Sequence, residues 1–379
     1  LSSFQLKVPT LRSMMMVMII ALSAAAILFP ILIMIHTIPS DLQSLYYARA
    51  QNSSQNATYQ YLPIPTTISK EAQEELRNTT FDPSMLKAPD PDDLNGWKRQ
   101  YHDSESMLMA LSQPIIDLYQ PDISEIMLDG SQILDIKPQN WMDNGKVLVY
   151  AHGGGYTFGS ANSTLGSPVL ASNATGLRVI SINYTVAPFS KWNQTTDQIV
   201  SVIQMLKEQL GYSVDDIAVF GDSAGGGLVA SSILKMRDQG LGLPAALVLW
   251  SPWLDLTKTG DTYFTLKYAD PYLSYDSFLK NTAGAYADHA DQKNPYVSPV
   301  YGNFTGGYTP TLIQGGTREI FLSGFIRLYQ ALDQADIPVK LDIYEGMSHV
   351  HQYLYKTPES KIALSKMKDW LYNALFNTK

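Results

Sequence analysis

From about residue 123 onward, short apolar runs alternate with stretches whose apolar positions recur every three or four residues. The runs Lys146–Tyr150 (KVLVY), Arg178–Asn183 (RVISIN), Ile217–Phe220 (IAVF), Ala245–Trp250 (AALVLW), Thr311–Gln314 (TLIQ) and Val339–Tyr344 (VKLDIY) predict strands. Glu125–Leu128 and Gln132–Ile136 predict a strand pair about an Asp129-Gly130 turn. Between them, Gln198–Leu210 sets Ile199, Val202, Ile203, Leu206 and Leu210 on one helical face. Further helices are expected over Ala224–Arg237, from beyond TLIQ to about Gln334, and over Glu359–Phe376. Strands alternating with helices imply a mostly parallel sheet covered on both faces. Active sites of such sheets lie at the carboxyl ends of the strands, which is the test applied to each motif below.

The pattern before residue 123 is different. Arg12 and Asp41 bracket 28 residues without Asp, Glu, Lys or Arg, and Met14–Ile38 is broken only by Ser23, His36 and Thr37. A hydrocarbon core about 30 Å thick needs about 20 helical residues, so residues 14–38 are expected to form a transmembrane signal anchor. Lys7 and Arg12 on its amino side place residues 1–13 in the cytoplasm and the rest outside. The alternative is secretion after cleavage near Ala48-Arg49-Ala50, although the apolar stretch is longer than a signal peptide requires. Residues 39–60 read as a polar tether. In 61–122, Pro63, Pro65, Pro83, Pro89, Pro91 and Pro114 divide the chain into short pieces, with helices expected over Glu71–Arg77 and Ser104–Ser112.

Composition narrows the chemistry. The chain of 379 residues has no cysteine, which excludes disulfides, thiolate catalysis and cysteine-ligated metal sites. A net charge of -8 argues against a nucleic-acid partner, because phosphate neutralisation needs a basic face. Eight Asn-x-Ser/Thr sequons, at Asn52, Asn56, Asn78, Asn162, Asn173, Asn183, Asn193 and Asn303, exceed the roughly two expected from composition. The absence of cysteine and the place of Asn183 in an expected core strand favour a surface protein without glycans.

The chemistry-bearing motifs fall where strands end. Gly221-Asp222-Ser223-Ala224-Gly225 follows IAVF and opens a helix, the setting that a G-x-S-x-G nucleophile turn requires. Ser223 is the expected nucleophile, with the helix N-terminus favouring developing negative charge beside it. His152-Gly153-Gly154-Gly155 follows KVLVY; three glycines there free a loop whose amides can meet a substrate oxygen. No G-K-[ST] follows, so it is not a phosphate-binding P-loop. Of six histidines, only His349 and His351 lie just past the last strand, and the chain order Ser–acid–His makes one of them the base. His349 reaches the strand end first; His351 is expected at the pocket rim or surface. Glu319, in Gly315-Gly316-Thr317-Arg318-Glu319 after TLIQ, is the expected acid, and Asp255 after AALVLW is its competitor.

These segments together resemble the hormone-sensitive-lipase family of α/β-hydrolase esterases. The matching stretches are HGGGYTFG at 152–159, NYTVAP at 183–188, GDSAGG at 221–226, SPWLDL at 251–256, GGTRE at 315–319 and YEGMSHV at 344–350. The resemblance spans about 125–375. It implies an α/β-hydrolase fold in residues 123–379, with an eight-stranded, mostly parallel sheet and helices on both faces. It also implies an N-terminal helical cap from residues 61–122. Ser223, His349 and Glu319 would be the catalytic triad, Gly154, Gly155 and Ala224 the oxyanion-hole amides, and His152 a loop-shaping residue. The Glu acid is similar to a bacterial acetyl-hydrolase-like branch. Two departures stand out: Ser323-Gly324 replaces the acidic pair that often follows the acid, and Phe189-Ser190-Lys191-Trp192 replaces an EHxFP run.

The expected activity is hydrolysis of short- to medium-chain carboxylic esters through an acyl-enzyme, with no metal or organic cofactor. The partners are a small-molecule ester and, through the anchor, a membrane. An amidase or deacetylase on the same triad and a non-catalytic surface module of the same fold are the alternatives. Tyr156, Phe158, Trp192, Trp253 and Tyr301 are the aromatic candidates for the pocket wall.

Overall fold

The computed structural model describes residues 62–79, 82–128 and 131–377. The expected tail 1–13, anchor 14–38 and tether 39–60 lie outside them, as does the Asp129-Gly130 turn. Among the described residues no helix is long and apolar enough to cross a membrane.

Eight strands form one sheet in the order β1-β2-β4-β3-β5-β6-β7-β8. They are β1 (Asp122–Leu128), β2 (Ser131–Lys137), β3 (Val147–Ala151), β4 (Arg178–Ile182), β5 (Ile217–Asp222), β6 (Ala246–Trp250), β7 (Thr311–Gly316) and β8 (Val339–Tyr344). β2 alone runs against its neighbours; β4-β3-β5-β6-β7-β8 are all parallel. β3 to β7 are buried along nearly their whole length because both faces of the sheet are covered, whereas β8 at the edge alternates, with Lys340 exposed. Val147, Val149, Val219, Leu247 and Leu249 point into one core layer, and Leu148, Tyr150, Phe220, Val248 and Trp250 into the other.

Among the described residues, eight helices longer than one turn dress the sheet: α1 (Lys70–Asn78), α2 (Leu94–Tyr119), α3 (Gly166–Thr175), α4 (Trp192–Leu210), α5 (Ser223–Asp238), α6 (Lys280–Tyr286), α7 (Leu322–Asp333) and α8 (Pro358–Phe376). α4, α5 and α7 supply Ile199, Val202, Leu228, Ile233 and Phe325 to the first layer, while α3 and α8 supply Val169, Leu170, Met367 and Leu371 to the second. Leu210 departs from the expected apolar face of α4. It is 41% exposed, because it is the last helical residue before Gly211 turns the chain away in the left-handed region.

The largest correction lies upstream. Instead of a short helix over Ser104–Ser112, α2 runs for 26 residues and carries Pro114 inside it. Pro114 costs the bond to the Ala110 carbonyl, and both residues lie on the exposed face, where water can take that bond. The opposite face holds the helix in place by burying Trp97, Leu108 and Ile115. Glu105 accepts hydrogen bonds from Ser160 Oγ (2.7 Å) and Ser163 Oγ (2.8 Å), and Ser112 Oγ donates to the Ser163 carbonyl at 2.9 Å.

Asn183 lies one residue past β4 and is half-buried. Its Nδ2 donates to Gln132 Oε1 at 2.6 Å, and its Oδ1 accepts the Ala161 N–H at 3.1 Å. The asparagines at 78, 162, 173, 193 and 303 are exposed. Asn52 and Asn56 are outside the described residues.

Candidate active site

Chain connection sets where a ligand can bind. From β3 the chain crosses to β4 on one side, then returns to β5 on the other. The carboxyl ends of β3 and β5 therefore flank the switch point, where open α/β sheets leave a crevice. The glycine loop leaves β3 there, and Ser223 leaves β5.

Ser223 occupies the strand-to-helix turn at φ +54°, a left-handed conformation that a non-glycine residue adopts only when its surroundings enforce it. The enforcement is steric. A Cβ on Gly225 would stand 2.1 Å from the Ala151 carbonyl oxygen and 2.4 Å from that of His152. α5 therefore starts hard against the end of β3, which lifts Ser223 out of the sheet. The glycine loop crosses directly above it: a Cβ on Gly153 would lie 3.1 Å from Ser223 Cβ. Gly154 has φ +113°, out of reach of other residues, and this aims the loop's backbone. Gly154 packs against the Phe158 carbonyl and Gly155 faces Phe278, while Ala224 is the second residue of α5.

His152 is fully buried and stacks on Tyr184 with 4.1 Å between ring centres. Its Nδ1 donates to the Gly153 carbonyl at 2.7 Å. Burial pulls its pKa down to about 4, so it is neutral and braces the loop.

His349 and Glu319 arrive from the carboxyl ends of β8 and β7. His349 Nε2 lies 2.8 Å from Ser223 Oγ, and Nδ1 lies 2.9 Å from Glu319 Oε2. A carboxylate can only accept, so Nδ1 carries the proton and Nε2 is left to accept from the serine hydroxyl. Both residues are fully buried. The other Glu319 oxygen, Oε1, accepts the Gly316 N–H (2.6 Å) and Ser251 Oγ (2.8 Å). Ser251 Oγ also accepts the Val350 N–H at 2.9 Å. One hydroxyl from the end of β6 therefore ties the acid to the chain beside His349. Ser251 was missed as a site residue; its only sequence signal is its place at a strand end in SPWLDL.

Several expectations are corrected. His351 is not at a rim or surface. It is fully buried, packs 4.8 Å from the Tyr344 ring, and neither ring nitrogen has a hydrogen-bond partner. Val350 at φ +49° turns the chain between the two histidines, so that only His349 faces Ser223. Asp255 does not reach His349. Its carboxylate accepts Thr257 N (2.9 Å) and pairs with Arg327. Of the five aromatic candidates, only Phe158 lines the cavity next to Ser223. Tyr156 stacks on Tyr286 at 3.9 Å and Trp253 on Phe321 at 5.6 Å, both in the core. Trp192 Nε1 donates to Asp291, and Tyr301 shares its hydroxyl with Thr257 and Thr259.

That cavity opens to solvent, and its lining reaches Gly153 and Asp222 but not Ser223 or His349 themselves. Leu108 and Leu111 of α2 form one wall; Gly154, Phe158 and Val350 form another, and Asp222 contributes a carboxylate. Asp222 is held by the Tyr150 hydroxyl and by the Gly153 N–H at 3.2 Å, while burial raises its pKa to about 6. At the first departure from the family pattern, Ser323 Oγ accepts the Thr262 N–H (3.2 Å), and its own N–H donates to Thr262 Oγ1 (2.9 Å). At the second, Phe189 is 41% exposed.

Comparison with known proteins agrees with this architecture. Residues 148–353 match the sequence model of a family described as having the alpha/beta hydrolase fold. An acetyl-hydrolase of Streptomyces hygroscopicus is 34% identical over 222 residues, spanning 58% of this chain and 73% of that protein. An esterase of Acinetobacter venetianus is 30% identical over 249 residues, spanning 65% and 81%. Among solved structures, esterase E25 superposes with a TM-score of 0.79 at 26% identity, covering 85% of this chain and 99% of that one. An esterase from the bacterial hormone-sensitive lipase family superposes at 0.68 with 28% identity, covering 74% and 92%. The chain belongs to the alpha/beta-hydrolase family that matches it. Within that fold it groups with the hormone-sensitive-lipase esterases, and its class is that of the carboxylic ester hydrolases.

Proposed function

We propose that this chain hydrolyses short- to medium-chain carboxylic esters through an acyl-enzyme on Ser223. The observation that carries this reading is the unbroken, buried line from Ser223 Oγ through His349 to Glu319. Ser223 attacks the ester carbonyl while His349 Nε2 takes its proton. Glu319 holds the ring in the accepting tautomer and stabilises the imidazolium. The oxyanion meets the amides of Gly154, Gly155 and Ala224; one such donor contributes about 3 kcal/mol to the transition state. His349 then protonates the departing alcohol, and water, activated by the same imidazole, releases the acid. The apolar wall of Leu108, Leu111 and Phe158 supports a short acyl or alcohol group, as does the acetyl-hydrolase name of one relative.

Residues 61–122 serve as the cap in this reading, with α2 supplying part of the cavity wall. Residues 14–38 anchor the enzyme with its catalytic domain outside the cytoplasm. The support for the anchor is the uncharged 28-residue stretch. Retention of the full chain in membranes after alkaline carbonate extraction tests it, and release into the soluble fraction refutes it.

The catalytic assignment is tested with Ser223→Ala. Turnover of p-nitrophenyl acetate to decanoate should fall by about 10⁶-fold, as for removal of a serine nucleophile elsewhere. Fluorophosphonate labelling should vanish while the circular dichroism spectrum is unchanged. Retained turnover in that variant would sink the assignment.

A further inference from the structure

Between β6 and α6 the chain makes a long excursion that contains the short helical turn Thr262–Thr265. Asp270 lies on it and is 1% exposed. One carboxylate oxygen, Oδ1, accepts the N–H groups of Tyr272 (3.0 Å) and Leu273 (2.9 Å) and so shapes its own loop. The other, Oδ2, accepts the N–H of Ile320 at 2.9 Å. Ile320 is the residue after Glu319. The carbonyl of the same Ile320 accepts Thr262 Oγ1 at 2.8 Å. The excursion therefore grips the residue next to the acid from both sides, through its N–H and its C=O, fifty residues away in sequence. Nothing in the acid–base chemistry derived above uses Asp270, and a buried carboxylate bound only by backbone amides needs a reason to be there.

We infer that Asp270 is a positioning residue of the acid–base pair: it fixes the turn that carries Glu319 and adds a second negative charge to the field at His349. This rests on the assignment of Glu319 and His349 made above. Three amide donors suit the ionised carboxylate. The titratable groups that face it are Glu319 on the β7 turn, His349 on the β8 loop and Tyr272 on its own loop. Burial raises its pKa to about 6; Glu319 pushes it up and the imidazolium draws it down. The same interaction read from His349 favours the imidazolium. Removing that charge should therefore weaken the field that stabilises the imidazolium formed when His349 takes the serine proton.

The test compares Asp270→Asn and Asp270→Ala in the full chain, through the pH dependence of kcat/KM on p-nitrophenyl acetate. Asn has no charge and keeps one carbonyl, which can accept the Ile320 N–H while its amide nitrogen faces the Tyr272 and Leu273 N–H groups. Its acid limb should move to lower pH by about half a unit or more, with the plateau kcat within about tenfold of wild type. Ala loses the grip as well, and its kcat should fall by a further factor of about ten at nearly constant KM. Thr262→Val removes the other half of the grip without touching charge; it should lower kcat and leave the acid limb in place. If Asp270→Ala does not fold, Asp270→Asn and Thr262→Val carry the test. An unmoved acid limb in Asp270→Asn overturns the inference, as does equal loss in Asn and Ala. Absence of Ser223-dependent turnover in the wild-type chain is a different result, because it removes the catalytic reading on which this one stands.

Discussion

The nucleophile half of the site is set mainly by backbone packed on backbone, whereas the acid–base half adds a chain of side-chain hydrogen bonds to such packing. Ser223 and the glycine loop are set by close packing of backbone on backbone: Gly225 against Ala151, Gly153 against Ser223. His349 and Glu319 share one such contact, Gly316 against the Met347 carbonyl, and are further set by side-chain hydrogen bonds from Ser251 at the end of β6 and by the grip of Asp270 and Thr262 on Ile320. Packing is intolerant and all-or-none, since no atom can occupy the space of another. Hydrogen bonds are graded, each contributing about 0.5–1.5 kcal/mol. The two halves should therefore fail differently.

The sharpest break is Gly225→Ala. Its Cβ has nowhere to go without separating α5 from β3, so destabilisation of about 3 kcal/mol or more is expected. It should be read as a lower chemical-denaturation midpoint together with loss of fluorophosphonate labelling. A variant that is stable and fully labelled would show that the turn is not packing-limited. Ser251→Ala should be milder. It removes one donor from Glu319 and leaves the Val350 N–H unpaired, a loss of about 1–3 kcal/mol. We expect kcat to fall by about 10–100-fold with KM nearly unchanged. Stopped-flow turnover of a p-nitrophenyl ester measures this, and a wild-type kcat would mean that the acid is held without Ser251.

The smallest effect concerns the two neighbouring histidines on the β8 loop. His351 is buried without partners, and its pKa is lowered from 6.5 to about 4. Its unfolded form binds a proton between those values and its folded form does not. Stability from neutral His351 is thus fully present above pH 6.5 and is lost as pH falls toward 4. His152 acts with the same sign. Asp222 and Asp270, with pKa values raised to about 6, act with the opposite sign over much of that window. The wild-type curve sums these four with other shifted carboxylates such as Asp342 and Glu359, so the informative quantity is a difference. Melting temperatures of His351→Phe and wild type should diverge in favour of the variant as pH drops from 6.5 to 4. Parallel curves would show that His351 is protonated in the folded state.

Legibility in the sequence followed the same division. Local motifs placed Ser223, the glycine loop, Glu319 and His349 at strand ends, because a turn that follows a strand is written in consecutive residues. The strands were readable within one or two residues for the same reason, except that β1 begins at Asp122, three residues before the expected start. At its carboxyl end α2 was read too short because Pro114 signals a break; whether it makes one depends on which face meets water. The aromatic pocket candidates were mostly misplaced, since an aromatic residue near a motif can point into the cavity, as Phe158 does, or into the core, as Tyr156 and Trp253 do.

The sequence by itself determined the alternation of strands and helices, the strand-to-helix turn that carries Ser223, the glycine loop, and the places of Glu319 and His349 just past strand ends. Each is a matter of backbone geometry over a few adjacent residues. Only the tertiary structure decided that His351 is buried and apart from Ser223, that Asp255 belongs to Arg327, and that Ser251 and Asp270 stand behind Glu319. Those contacts join residues 50 to 99 positions apart. A hydrogen bond depends on position in space, and that is set only once the sheet has brought the carboxyl ends of β5, β6, β7 and β8 side by side.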